Sequence, residues 1–352
     1  MFVERDMDLA EALRCSGGYT VRLVGRERRR TRVRHYNVLS TEGTHQLRRA
    51  AERCHFAATA VGGQNLPAVA QLLAPALARR RTVLNVLVCE NWPHADSVLR
   101  GHLEREGADD FRCVPASVER MVRPAPDGLD LVGEAGQSLY FDASKWAGEP
   151  PSIPGFTACG DIDFYYARKL FTNNAGHAAL AYEGHLAGYE LLCDAHGDPA
   201  IRARVATLLE PAAEMLARQF GADRGALREH VAALLERRFP NRELADRVRR
   251  AARDPLRKLG ADERLVGLLR RLQKHDLPVR PVCRTIACAM HYRDPEDAEC
   301  AQMFNLLRRG GPELVLTQVC RLRPAEEAYG ECLRQCELIE AYTASGTGDL
   351  SI

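Results

Sequence analysis

The chain has 352 residues, 46% of them hydrophobic and 27% charged, with a formal net charge of +2. That balance excludes the strongly basic surface of a nucleic-acid binder, and no run of about 18 apolar residues is present to span a membrane. The length suits two domains, each with a core of its own.

The first residues, "MFVERD", read as a short strand ending in an acid, Glu4, followed at once by the helix "MDLAEALR". This acidic start lacks the apolar core of a signal peptide. Residues 25–36, "GRERRRTRVRHY", hold six arginines in twelve positions between the period-two runs "YTVRLV" and "RVRHYNVL". They read as the solvated turn and arms of a β-hairpin. Two clear strands follow, "HFAATAVG" and "TVLNVLVCEN", separated by the helix "LPAVAQLLAPALARRR". They end in Thr59, Ala60, Val61 and Gly62, and in Glu90 and Asn91. Ligands of doubly wound sheets lie beyond the carboxyl ends of the strands, which makes these binding positions. "LDLVGEAGQSLYFDASKW" reads as a further hairpin, and the proline-rich "GEPPSIPG" (148–155) as a domain link. From about Asp161 onward, apolar residues recur at three- and four-residue spacing, so nearly everything should be helical. The expected architecture is an α/β, Rossmann-like domain over 1–155 and an all-α domain over 156–345.

Such a first domain should carry G-x-G-x-x-G, and the sequence contains none. The acid that grips the adenosine ribose normally follows that loop by about 20 residues. If Glu4 is that acid, the first strand, its glycine turn and its helix belong upstream of Met1, and the Rossmann-like domain is incomplete. Either the reading frame begins further upstream or the chain is a damaged relative. "FVERD" could also be a plain edge strand. Activity is expected of a chain that carries the glycine turn, and little or none of the chain as written.

The stretch "ARKLFTNNAGHAALAYEGHLAG" puts Lys169, Asn174 and His177 into an apolar, helix-prone run. A buried lysine needs a partner or a task. At about 100° per residue the three fall within an arc of roughly 140°, one wall of a cleft. His177, His185, Cys193 and His196 lie close in sequence but match no common zinc spacing, so no metal is expected. The twelve cysteines are scattered without a C-x-x-C and read as small hydrophobes in a reducing cytoplasm. "DPLRKLGADER" gathers Arg257, Lys258 and Arg264. They could hold a phosphate, or pair with Asp254, Asp262 and Glu263 in a structural turn.

The segments "TAVG", "LNVLVCEN", "SVERMV", "SIPG", "RKLFTNNAGHAALAY", "HLAGYE", "RFPN", "DPLRKLGADERL" and "IACAMHYR" together resemble the polyol-specific long-chain dehydrogenases. They run in family order over most of the chain, and K-x-x-x-x-N-x-x-H is the family's catalytic signature. The resemblance implies metal-free alcohol oxidation with Lys169 as base. Asn174 and Asn91 would be donors to the reacting oxygen, and His177 would orient the sugar hydroxyls. It implies NAD as cofactor, held by Glu4, Thr59, Ala60, Val61, Gly62 and Glu90, and a sugar-phosphate substrate met by Arg257, Lys258 and Arg264. The implied reaction interconverts mannitol 1-phosphate and fructose 6-phosphate. The alternatives are a mannitol 2-dehydrogenase, a hexuronate oxidoreductase, or a remnant that binds without catalysis. The only partner implied is the small molecule, with no nucleic acid or membrane, and the expected state is a monomer or weak oligomer.

Overall fold

The computed structural model describes residues 1–25, 28–92, 94–126, 128–136 and 139–345, with Ser345 described by its backbone alone. The chain divides into two compact units, Met1–Tyr166 and Ala167–Ile352. The expected boundary at 155 and the link 148–155 both fall inside the first unit, because the chain returns to the sheet once more after the prolines.

The first unit runs β1 (Phe2–Glu4), α1 (Met7–Ser16), β2 (Tyr19–Val24), β3 (Arg29–Val33), β4 (Val38–Ser40), α2 (Thr44–Arg53), β5 (Phe56–Thr59), α3 (Leu66–Leu77), β6 (Leu84–Val88), α4 (Ala95–Arg105), β7 (Phe111–Val118), β8 (Val122–Pro124), β9 (Leu131–Glu134), β10 (Leu139–Asp142) and β11 (Phe156–Cys159). The main sheet has the order β11-β10-β7-β6-β5, parallel across β5, β6 and β7. The sequence "LNVLV" of β6 is buried at every position, as a strand covered on both faces must be. Its one polar residue, Asn85, spends its amide on both backbone groups of Ala147, at 2.8 and 3.0 Å. Leu84, Val86 and Val88 pack with Leu66, Leu77 and Leu99 of α3 and α4, each such side chain contributing about 1.5–3 kcal/mol on burial.

β1 and β4 form a separate parallel pair. Among the described residues no strand joins β1 to β5, although α2, which follows β4, packs on α3. The break falls where the order 3-2-1-4-5-6 has its strand 1. A third sheet, β3-β2-β9-β8, stands apart. The arginine-rich hairpin is β2 against β3, antiparallel; Arg26 and Glu27 of its turn lie outside the described residues.

The second expected hairpin is not formed. β9 pairs with β2 and β8, whereas β10 joins the main sheet. Alternation reveals that a segment is a strand but not its neighbour. Here Leu139 and Phe141 of β10 have a better site against Leu87, Val114 and Ala116 than beside β9.

The second unit is helical, as expected. It holds α5 (Ile162–Arg168, which begins in the first unit), α6 (Ala175–Leu186), α7 (Leu192–Gly197), α8 (Pro199–Phe220), α9 (Arg224–Ala233), α10 (Val248–Ala252), α11 (Pro255–Lys258), α12 (Val266–Lys274), α13 (Arg280–His291), α14 (Ala298–Gln318, kinked at Gly310–Gly311) and α15 (Glu327–Ser345). Two six- and five-residue π-turns interrupt the regular helices: Lys169–Asn174 between α5 and α6, and Leu234–Arg238 after α9. α6 is buried along almost its whole length, which is why "AGHAALAYEG" reads as small and apolar. Among the described residues no helix is long and apolar enough to cross a membrane.

Candidate active site

In the first unit, the carboxyl ends of β5 and β6 meet in a small shelf. Glu90, 5% exposed, accepts hydrogen bonds from the backbone N–H of Val61 through Oε1 (3.0 Å) and of Gly62 through Oε2 (2.9 Å). The end of β6 thereby fixes the loop after β5. Gly62 turns at φ +83°, a conformation few side chains tolerate. Asn65 Nδ2 closes the loop on Val61 O at 2.7 Å. Thr59 is buried, and its carbonyl accepts from Cys89 N–H (3.0 Å). Ala60, Val61 and Asn91 are exposed on this shelf. The expected positions Thr59, Ala60, Val61, Gly62 and Glu90 are thus brought together. Glu4 ends β1, where its carboxylate accepts from Arg5 N–H (2.7 Å) and Asp6 N–H (2.9 Å).

In the second unit, Lys169 opens the first π-turn, Asn174 ends it, and His177 stands one turn into α6. The Ala175 N–H donates to Leu170 O, five residues back. In a turn closed this way, residues five apart stack as residues four apart do in an α-helix. Lys169 and Asn174 therefore align, and Asn174 and His177, three apart in regular helix, share that face. This corrects the 140° arc expected of a plain α-helix: the K-x-x-x-x-N spacing fits a π-turn. Lys169 and Asn174 are half-buried.

His177 is 19% exposed, its Nε2 4.0 Å from Asp246 Oδ2 and its ring 5.1 Å from that of Phe239. Burial, with the Arg238 and Arg250 charges adding to it, pushes the imidazole well below the usual histidine range. The nearby carboxylate does not offset this, since Asp246 is held by Arg250 at 2.6 and 2.7 Å. His177 is neutral, able to donate from one nitrogen and accept at the other. A crevice of about 10 Å³ beside it, bordered by Arg238, Phe239, Asn241 and Asp246, has room for about one water.

His230 and Phe239 are not singled out by the sequence. Each belongs to a good helical pattern, and their contact with the site crosses long separations that no local pattern encodes. Of the remaining histidines, His185 accepts from Arg293 N–H (3.3 Å) and His196 packs on Phe239 (6.2 Å).

The basic segment is committed to local partners. Arg257 pairs with Asp254 (3.1 Å) and Glu263 (3.5 Å), and Arg264 with Glu263 (3.1 Å). Lys258, 4% exposed, donates its amine to the carbonyls of Ala251 and Arg253. Burial, reinforced by Arg264 and Arg257, pushes that amine down to about 7. Of the three, Arg257 keeps the most exposed side chain, at 46%.

Residues 1–119 match the mannitol dehydrogenase Rossmann domain and residues 161–308 the mannitol dehydrogenase C-terminal domain. The matches to two domains of one family define the class of this chain, the polyol oxidoreductases. The chain belongs to the mannitol dehydrogenase family. Its fold is similar to that of a D-sorbitol dehydrogenase solved in substrate-free form, with a TM-score of 0.77 at 17% identity, covering 96% of this chain and 84% of that one. It is also similar to a Pseudomonas fluorescens mannitol 2-dehydrogenase solved as a ternary complex with NAD and D-mannitol. There the TM-score is 0.76 at 17% identity, over 98% of this chain and 85% of that one. A D-mandelate dehydrogenase solved with NADH and anilino(oxo)acetate is more distant, with a TM-score of 0.51 at 9% identity, over 86% of this chain and 90% of that one.

Proposed function

We propose that this chain is built for NAD-dependent interconversion of mannitol 1-phosphate and fructose 6-phosphate, with Lys169 as the base, the reaction of a mannitol-1-phosphate 5-dehydrogenase. The observation that carries the reading is the π-turn that lines up Lys169 with Asn174 and His177. In this reading residues 1–155 serve the cofactor and 156–345 the substrate.

Residues of the first unit suit the two ends of a dinucleotide. Glu4 offers a carboxylate for ribose hydroxyls, which favours NAD over NADP because a 2′-phosphate would meet a negative charge. The Ala60–Val61–Gly62 loop, fixed by Glu90, offers a small-residue surface at the strand ends. NAD, when bound, supplies the hydride acceptor. The Lys169 Nζ takes the hydroxyl proton as the carbon gives up its hydride. A neutral amine is required for that step, and desolvation favours it. The Asn174 and Asn91 amides donate to the oxygen as charge builds on it, each worth about 3 kcal/mol. Neutral His177 orients a second hydroxyl without adding a charge that would repel the protonated lysine. The sugar phosphate is met by Arg257 and Arg264, while Lys258 acts mainly by holding the segment's backbone. Twelve free thiols, seven of them buried, suit a reducing cytoplasm.

The test is NADH oxidation with fructose 6-phosphate, fructose and a keto-hexuronate as competing substrates, using the chain as written, a form extended upstream by the glycine turn with its strand and helix, and Lys169→Ala in the form that turns over. Fructose 6-phosphate should turn over fastest, and Lys169→Ala should lose roughly 10²- to 10⁴-fold. Faster reduction of fructose or of the hexuronate would transfer the chain to a mannitol 2-dehydrogenase or a hexuronate oxidoreductase. Near-normal turnover by Lys169→Ala would overturn the base assignment. The break between β1 and β5, with no glycine-rich turn in the sequence, favours a second reading: a sugar-phosphate binder without turnover. Calorimetric binding of fructose 6-phosphate with no NADH oxidation would single it out.

A further inference from the structure

A π-turn is a local departure from the regular helix, and something must favour it over the α register that the flanking residues adopt. The candidates lie on one other element. Thr172, buried within the turn, donates its hydroxyl to Arg168 O at 2.5 Å. With its proton used there, the same oxygen is an acceptor for His230 Nε2, 2.9 Å away and 58 residues along the chain. Burial, then the Arg168 and Arg238 charges, push His230 down to about 3, so a neutral ring with its proton on Nε2 satisfies the pair.

The element that carries His230 continues through the second π-turn, whose Phe239 N–H donates to Leu234 O, five residues back, at 2.9 Å. That turn brings Phe239 against the start of α6, next to Gly176 and His177. At Gly176 a methyl group would come within 2.8 Å of the Phe239 ring and 3.3 Å of Leu209. α6 is therefore fixed at Gly176, and the bulge is fixed at Thr172, both by the segment from α9 to Phe239. Rewinding Lys169–Asn174 to an α register would turn Thr172 relative to α6 and break its bond to His230.

We infer that His230 is a positioning residue: through Thr172 it locks the π-turn that aligns Lys169 with Asn174. This rests on the reading of Lys169 as the base. His230 does not touch the reacting atoms.

The test uses the full chain with His230→Leu, Thr172→Val and Thr172→Ser. Two readouts are taken: kcat and KM for fructose 6-phosphate, and the rate of Lys169 acetylation by acetic anhydride against pH, followed by mass spectrometry. The second needs no turnover. His230→Leu and Thr172→Val should each lower kcat roughly 10- to 100-fold, the scale of a small misplacement at a reacting group. The KM for NADH should stay unchanged, and the double variant should lose no more than either single one. The pH at which Lys169 becomes reactive should move in both, and Thr172→Ser, which keeps the hydroxyl, should restore most of both readouts. A folded Thr172→Val protein with normal kcat, or with an unchanged labelling curve if turnover is absent, overturns the inference. If Lys169→Ala remains active, the base reading fails by itself, and the labelling curve still decides whether His230 sets the lysine's surroundings.

Discussion

His230 should make the helical unit sensitive to acid in a way that one substitution isolates. In the unfolded chain its imidazole takes a proton near pH 6.5; in the fold it stays neutral down to about 3. The unfolded state therefore binds more protons between those limits, and stability falls as pH drops from 6.5 toward 3. At pH 5 the deficit is about 1.5 pH units below the unfolded value, or about 2 kcal/mol relative to pH 8. His230→Gln, which has no such proton to gain, should lose about 2 kcal/mol less over the same range. Urea unfolding at a series of pH values, followed by helical circular dichroism, measures this, since most of the helix lies in the second unit. Both tryptophans, Trp92 and Trp146, lie in the first unit, so their emission reports that unit separately. His177, His185 and His196, all shifted downward by burial first, add to the acid sensitivity of both proteins and cancel in the comparison. Identical slopes for the two proteins would refute the account of a buried, neutral His230.

Further predictions concern both units. Glu90→Gln removes one acceptor from the pair that holds Val61 and Gly62 N–H, a loss of about 1–3 kcal/mol; NADH affinity measured by fluorescence should fall about tenfold or more. Gly63→Ala would place a methyl 1.6 Å from the Trp92 ring, so the ring must swing away. NADH binding should weaken, and Gly63→Ala with Trp92→Ala should recover it. Lys258→Met strands the carbonyls of Ala251 and Arg253 and should cost about 1–3 kcal/mol in urea unfolding. It should affect the KM values for fructose 6-phosphate and fructose alike. Arg257→Ala should raise the KM for fructose 6-phosphate more than that for fructose; equal effects would remove it from the phosphate site.

What could be read from the residues alone follows the range of the interactions that decide each feature. The continuous apolar run of β6 and the small residues of α6 announce burial on all sides, and both are local facts. The lysine, asparagine and histidine were legible as types, but their mutual geometry was not. An α-helical angle does not hold in a segment whose five-residue spacing belongs to a π-turn. What selects that turn lies at His230, far along the chain, in a stretch with an unremarkable helical pattern. Strand partners were ambiguous for the same reason: β9 and β10 alternate well, yet only the competition among distant apolar surfaces sends them to different sheets. Charge had the opposite problem. Arg257, Lys258 and Arg264 stood out as a cationic cluster, while the acids and carbonyls that occupy them became visible only once the segment was folded.

A bulge in a helix is one surplus residue, and here the surplus separates a base from a donor. Excising Asn173 would let the backbone relax into ordinary winding at the loss of a single residue. The cut would bring the amine and the carboxamide to a four-residue interval on an unbroken cylinder, while Thr172 would turn away from its imidazole. Any relative spaced one residue shorter would have to aim its amine with different machinery, so the interval itself serves as a fossil of the backbone beneath it.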